Sequence, residues 1–289
     1  MQRRSIANRV ACLVIMTSLI SICSLDAWGG RTVPDDYLAL PVLVELDTKA
    51  TATGFYLGDG KYIYLVTAKH VLFDTSKTLK SNGATLTSYP GDPTDSGRNV
   101  LKIDLKAMNE ANDIRYDKTH DVAVIRIGQL SRKGKRKVVG LFDGVKLKEK
   151  TESNFLYADT VFTKKFYEVL IGNEIYIFGY PTSLGLKKIP QLDYNRPLLR
   201  RGIVAGKNRS LETIILDCPG YKGNSGGPVV EVEKVNLGKT VFNVIGVVVQ
   251  FVPYVTHGYG YSDTTTIILN SGYSVAIPIE IVLELLRKE

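Results

Sequence analysis

Gly223-Asn224-Ser225-Gly226-Gly227-Pro228-Val229-Val230-Glu231-Val232 sets a serine in a tight, glycine-rich bend that runs straight into a β-type apolar segment. Glycine adopts backbone angles that strain other residues, so such a bend exposes the hydroxyl and aims neighbouring N–H groups at one point. That suits a nucleophile beside an oxyanion hole, where donors stabilise charge that develops only in the transition state. A serine nucleophile also needs a base and an acid to orient it. With three histidines in 289 residues, the candidates are few.

Outward from the bend, the apolar residues come in short runs rich in Val, Ile and Tyr, separated by Gly, Asn, Asp and Pro. Segments 40–46, 53–57, 62–67, 122–127, 174–179, 202–205, 213–217, 229–232 and 240–251 read as strands. Turns at 57–61 and 206–210 imply antiparallel hairpins. Only 279–288 has helical spacing, with Ile281, Leu283, Leu285 and Leu286 free to dock. Many short strands with few helices predict a barrel or sandwich protein. Three segments interrupt the pattern. Residues 75–99 read as an exposed polar excursion, 131–150 as a basic connector between two halves, and 253–272 as a Gly/Tyr/Thr-rich stretch lining a cleft.

Composition is that of a globular protein, with 44% apolar and 23% charged residues and a net charge of +8. The charge permits contact with anionic surfaces, but no aromatics interleave the basic run, so a nucleic-acid partner is not expected. Arg3, Arg4 and Arg9 precede an uncharged run, and Ala27-Trp28-Gly29 is a small-x-small cleavage site. Residues 1–29 therefore read as a secretory signal peptide, too short in its apolar part to anchor, with export to the periplasm or beyond the cell and no stable membrane insertion after cleavage. Cys12 and Cys23 leave with it. Cys218 then stands alone, a small buried hydrophobe with no disulfide partner.

His70 ends Val66-Thr67-Ala68-Lys69-His70, where a strand runs directly into the imidazole. Asp121 opens Val122-Ala123-Val124-Ile125, well placed to accept an imidazole N–H, although Asp117 lies near enough for the same part. His120 reads as an exposed neighbour with no essential task, and His257 as a surface residue. In this ordered set His70 takes the Ser225 proton and later protonates the leaving amine, while Asp121 fixes the tautomer. The N–H groups of Gly223 and Ser225 form the oxyanion hole. No metal or cofactor is called for.

Thr67-Ala68-Lys69-His70, His120-Asp121-Val122-Ala123-Val124-Ile125 and Gly223-Asn224-Ser225-Gly226-Gly227-Pro228, in that order, resemble trypsin-like serine proteases, and more narrowly the HtrA-type (Deg) branch. Ile177-Phe178-Gly179-Tyr180-Pro181, Arg201-Gly202-Ile203-Val204, Val244-Ile245-Gly246-Val247 and the strand from Gly272 to Pro278 are similar to further segments of that branch. The resemblance implies an all-β, chymotrypsin-like fold of two antiparallel six-stranded β-barrels with a short C-terminal helix. Residues 30–165 would form the barrel carrying His70 and Asp121, and 166–289 the barrel carrying Ser225. It implies cleavage of polypeptide substrates through an acyl-enzyme and leaves a homo-oligomer open.

Departures from the pattern also carry expectations. No PDZ module follows the protease segment. Asn224 stands where digestive relatives place an aspartate that captures a freed N-terminus, so the oxyanion loop has to be ordered another way. Pro219 occupies the pocket-floor position and brings no charge, unless Asp217 turns inward. Val247, Val248, Val249 and Gln250 are expected to bind substrate, with preference for aliphatic or aromatic residues. Two rival readings exist. The Gly-x-Ser-x-Gly pattern also fits the α/β-hydrolase elbow, but that fold needs a helix after the serine and a later acid and histidine. A protease-like domain used as a peptide-binding module is the other, since fold does not guarantee activity.

Overall fold

The computed structural model describes residues 33–90, 95, 97–131, 138–150, 156–181, 189–194, 196–235, 239–259 and 264–287. The stretch 1–29 expected to be a signal peptide and the basic run at 132–137 lie outside the described residues. In chain order the first sheet comprises β1 (Pro41–Leu46), β2 (Thr51–Gly58), β3 (Tyr62–Thr67), β4 (Gly83–Ser88), β5 (Asn99–Asp104), β6 (Ile114–Tyr116), β7 (Ala123–Leu130), β8 (Val138–Leu141), β9 (Val145–Glu149) and β10 (Ala158–Asp159). A single helical turn, α1 (Lys69–Leu72), follows β3, and α2 (Leu105–Glu110) follows β5. The second sheet comprises β11 (Glu174–Gly179), β12 (Leu198–Asn208), β13 (Thr213–Asp217), β14 (Pro228–Lys234), β15 (Thr240–Tyr259) and β16 (Thr264–Pro278), and α3 (Ile279–Arg287) ends the fold.

The first sheet is a curled half-barrel with the order β6-β7-β3-β2-β1-β4-β5-β9, β8 lying beside β7. Its strands pair antiparallel except for β10, which runs parallel to β2. The second closes as β11-β12-β13-β16-β15-β14. The all-β, two-barrel expectation and the single C-terminal helix are borne out. Each sheet has its own apolar filling: Phe55, Leu57, Leu65 and Leu86 in the first, and Ile175, Ile214, Leu216 and Ile245 in the second, all fully buried. Helix α3 buries Ile279, Ile281, Val282 and Leu285. It also reaches the first sheet, because Arg115 of β6 donates to the Leu285 carbonyl (3.2 Å) in its last turn.

Three sequence expectations need correction. Residues 75–99 are not a surface excursion throughout, because β4 lies inside them, hydrogen-bonded between β1 and β5. Its Ala84 and Leu86 point into the core while Thr85 and Thr87 face outward, an alternation that the surrounding polar residues hide. Residues 131–150 are more than a connector, since β8 and β9 extend the first sheet. The basic run at 132–137 dominated the composition there. Residues 253–259 of β15 and 264–272 of β16 pair antiparallel as an arm that leaves Tyr254, Val255, Ile268 and Leu269 exposed.

Replacing the fully buried Leu86 tests the first of these corrections. Leu86→Ala should destabilise the fold by about 2–5 kcal/mol, as large-to-small core changes do. Urea unfolding reads this directly, and an unchanged midpoint would return β4 to the surface.

Candidate active site

The serine turn is held against the first sheet by one threonine. Thr53 of β2 is fully buried. Its hydroxyl donates to the Gly223 carbonyl (2.6 Å) and accepts from the Tyr180 N–H (3.0 Å), while its own N–H donates to the Ser225 carbonyl (3.0 Å). Thr67 of β3 donates its hydroxyl to the Thr53 carbonyl (2.8 Å). Gly226 sits directly on this pair with φ +89°, and a Cβ there would collide with the Thr53 carbonyl and the Thr67 hydroxyl. From the other side, Gly226 N–H donates to Val248 O (2.7 Å) and Val248 N–H to Gly227 O (2.9 Å).

Asn224 is buried, and its side-chain oxygen accepts from the Tyr221 N–H (3.2 Å) while its own N–H donates to the Tyr221 carbonyl (2.9 Å). These bonds hold the loop from within. Gly223 takes the left-handed region, with φ +100°. Among the described residues, no protein acceptor is found for the N–H groups of Gly223 and Ser225.

On the first sheet, β3 ends at Thr67 and α1 presents His70, while the loop before β7 presents Asp121. The Asp121 carboxylate accepts from the His70 backbone N–H (2.8 Å) and meets the imidazole Nδ1 at 2.6 Å. Burial alone would raise the Asp121 carboxyl, but the His70 ring and backbone N–H, helped by the Lys69 charge, bring it below the ordinary carboxylate value. Lys69 also straps the acid's loop down. Its ammonium donates to the Asp117 carbonyl (2.8 Å) and the His120 carbonyl (2.9 Å). The Lys80 ammonium donates to the His70 carbonyl.

Asp121, and not Asp117, therefore partners His70. The Asp117 carboxylate is taken by the N–H groups of Thr119 (2.9 Å) and His120 (2.7 Å) and by His120 Nδ1 (3.0 Å). His120 itself departs from its expected exposure. Its side chain is 12% exposed, between Asp117 and Glu212 of the β12–β13 turn, whose carboxylate lies 3.4 Å from Nε2.

Ser225 and His70 line one pocket of about 190 Å³ together with Gly223. The Ser225 hydroxyl donates to the Val249 carbonyl (3.4 Å), and no hydrogen bond joins it to His70 in the resting arrangement.

A family model for the trypsin-like peptidase domain matches residues 52–238, a span that includes all three of these side chains. The chain belongs to that family. Among solved structures, the peptidase domain is similar to Deg5, with 19% identity, 86% of this chain and 88% of that chain covered, and a TM-score of 0.47. It is also similar to the HtrA-type protease AlgW with tripeptide, with 17% identity, 89% of this chain covered and a TM-score of 0.47. The alignment spans 61% of the AlgW chain. No curated protein matches it.

In this trypsin-like domain the residues expected to bind substrate fall into two groups. Val247 and Val248 are buried, and Val248 belongs to the second barrel's core, so their side chains do not form a pocket wall. Val249 sits at a bulge between Val248 and Gln250, and its backbone rather than its side chain reaches Ser225. Gln250 is exposed, Pro219 is half-buried and Asp217 is exposed. On the Ser225 side, β14 pairs with β15 only as far as Val247. Beyond Val248 that edge has no strand partner among the described residues. Cys218 is fully buried, and desolvation pushes its thiol up to about 11. Among the described residues, no cluster of three His, Cys, Asp or Glu side chains could hold a metal ion.

Sequence reasoning had no access to Thr53. Its bond to Gly223 joins positions 170 apart. Thr53→Val should leave a buried carbonyl and a buried N–H without partners, each costing about 1–3 kcal/mol. Thermal unfolding should register that loss, and Thr53→Ser should restore it.

Asp121 gives a pH test. Its folded value is depressed, so its contribution to stability is present above the ordinary carboxylate range and is lost as pH falls through the folded value. Below about pH 4 the wild type should lose stability more steeply than Asp121→Asn, measured as unfolding midpoints from about pH 6 to about pH 2.

Proposed function

We propose that this protein is an exported serine endopeptidase that hydrolyses peptide bonds through Ser225, His70 and Asp121. The observation that carries the reading is the 2.6 Å contact between His70 Nδ1 and the Asp121 carboxylate, in a site that shares one pocket with Ser225. An ionised Asp121 holds the Nδ1 proton, which leaves Nε2 as the basic face of the ring. Rotation of the Ser225 hydroxyl from the Val249 carbonyl to Nε2 creates the nucleophile. Catalytic hydrogen bonds are often loose before substrate arrives.

A substrate strand adding to the open edge of β15 past Val248 presents its carbonyl carbon to Ser225 Oγ. The oxyanion of the tetrahedral intermediate falls to the N–H groups of Gly223 and Ser225, each such donor being worth roughly 3 kcal/mol in comparable sites. His70 returns the proton to the leaving amine and gives an acyl-enzyme. Water, activated by the same imidazole, then releases the acid. Polypeptides are the substrates, and neither metal nor cofactor enters any step. Export to the periplasm or the exterior is supported by the leader-like residues 1–29 alone.

A second reading, a peptide-binding module, is favoured by the resting direction of the Ser225 hydroxyl toward Val249. A serine-reactive fluorophosphonate separates the two. Wild type should be labelled at Ser225, with Ser225→Ala and His70→Ala unlabelled. A folded wild type that stays unlabelled overturns the peptidase reading in favour of the binding one.

A further inference from the structure

The pocket beside Ser225 has a charge bias that the proposed mechanism leaves unused. Its floor is apolar, with Leu46 and Val71, and one wall is the serine turn. Two lysines from separate loops, Lys80 and Lys222, complete the lining, and no acidic side chain is among its described residues. Both are exposed. An ammonium has three donors, and Lys80 uses one on the His70 carbonyl, so it can still meet an anion.

The geometry also says which half of a substrate this pocket meets. None of the residues from Val247 to Gln250 lines it, so it lies apart from the β15 edge where the acyl half pairs. His70 does line it, and the group that protonates the leaving amine has to stand over the leaving half of the chain.

We propose that this pocket receives the leaving-group half of the substrate, and that Lys80 and Lys222 select a carboxylate there. The carboxylate is either an Asp or Glu side chain just after the scissile bond or the free terminus of a short leaving peptide. The inference rests on the peptidase reading above. Exposed ion pairs are individually weak, so the two lysines together give a preference of about fivefold at low salt. It should shrink as salt screens the pair.

Two sets of quenched peptides provide the test. In one, Glu replaces Gln at the first or second position after the cleaved bond; in the other, a terminal carboxylate replaces an amide close behind it. Wild type should favour a carboxylate about fivefold in kcat/KM in at least one set, which also identifies the source. The ratio within each enzyme cancels any general loss of rate. It should fall toward one in Lys222→Gln and Lys80→Gln and invert in Lys222→Glu. Equal hydrolysis of both members in both sets, or a ratio that survives both Gln variants, overturns this inference alone. No hydrolysis of any peptide by folded protein that also resists the phosphonate overturns the peptidase reading and this one with it.

Discussion

The Thr53 hydroxyl is the contact on which the geometry of the site depends. It holds the Gly223 carbonyl and the Tyr180 N–H at once, and so fixes the serine turn to a strand of the opposite sheet. Gly226 lies against the same threonine's carbonyl, where only a residue without a side chain fits. Val248 grips the turn from the second barrel. Ser225 is therefore located by both sheets together, and neither sheet alone would set the distance between its hydroxyl and His70.

His70 and Asp121 are held by a comparable economy of parts. His70 stands in a single helical turn, too short to be rigid by itself. Its orientation comes from two bonds to one carboxylate and from the Lys80 ammonium on its carbonyl. Lys69 does for the Asp121 loop what Lys80 does for His70, capping two of its carbonyls. Cations used in this way satisfy backbone acceptors that the loops cannot pair internally, and the Lys69 charge also favours an ionised Asp121. The serine turn, with Asn224 buried in it, is held by short-range bonds to Tyr221 and by Thr53.

Much of this was legible in the chain. The strand segments at 62–67, 174–179 and 213–217 coincide with β3, β11 and β13, because Val, Ile and Tyr crowd strands that are buried on one or both faces. Alternation in β4 was lost among turn residues, and β9, exposed beyond Val145, offered no buried face to read. The choice between Asp117 and Asp121 was also illegible, since both carboxylates precede the same strand and differ only in which N–H groups the loop turns toward them. His120 shows the same limit from the other side. Its second carboxylate partner, Glu212, is 92 positions away, beyond any local pattern.

By itself the sequence determined the all-β architecture, the order histidine, aspartate, serine, and the strand after Pro228. Each of these is written in local periodicity or in glycine-rich turns, which depend on neighbouring residues. Tertiary structure alone decided that Thr53 carries the serine turn, that Asp121 and not Asp117 meets His70, and that Val249 serves through its backbone while Val248 fills the core. Those outcomes depend on hydrogen bonds and packing between residues 24 to 170 positions apart, which form only when each sheet has folded on itself and, for Thr53, when the two sheets close on one another.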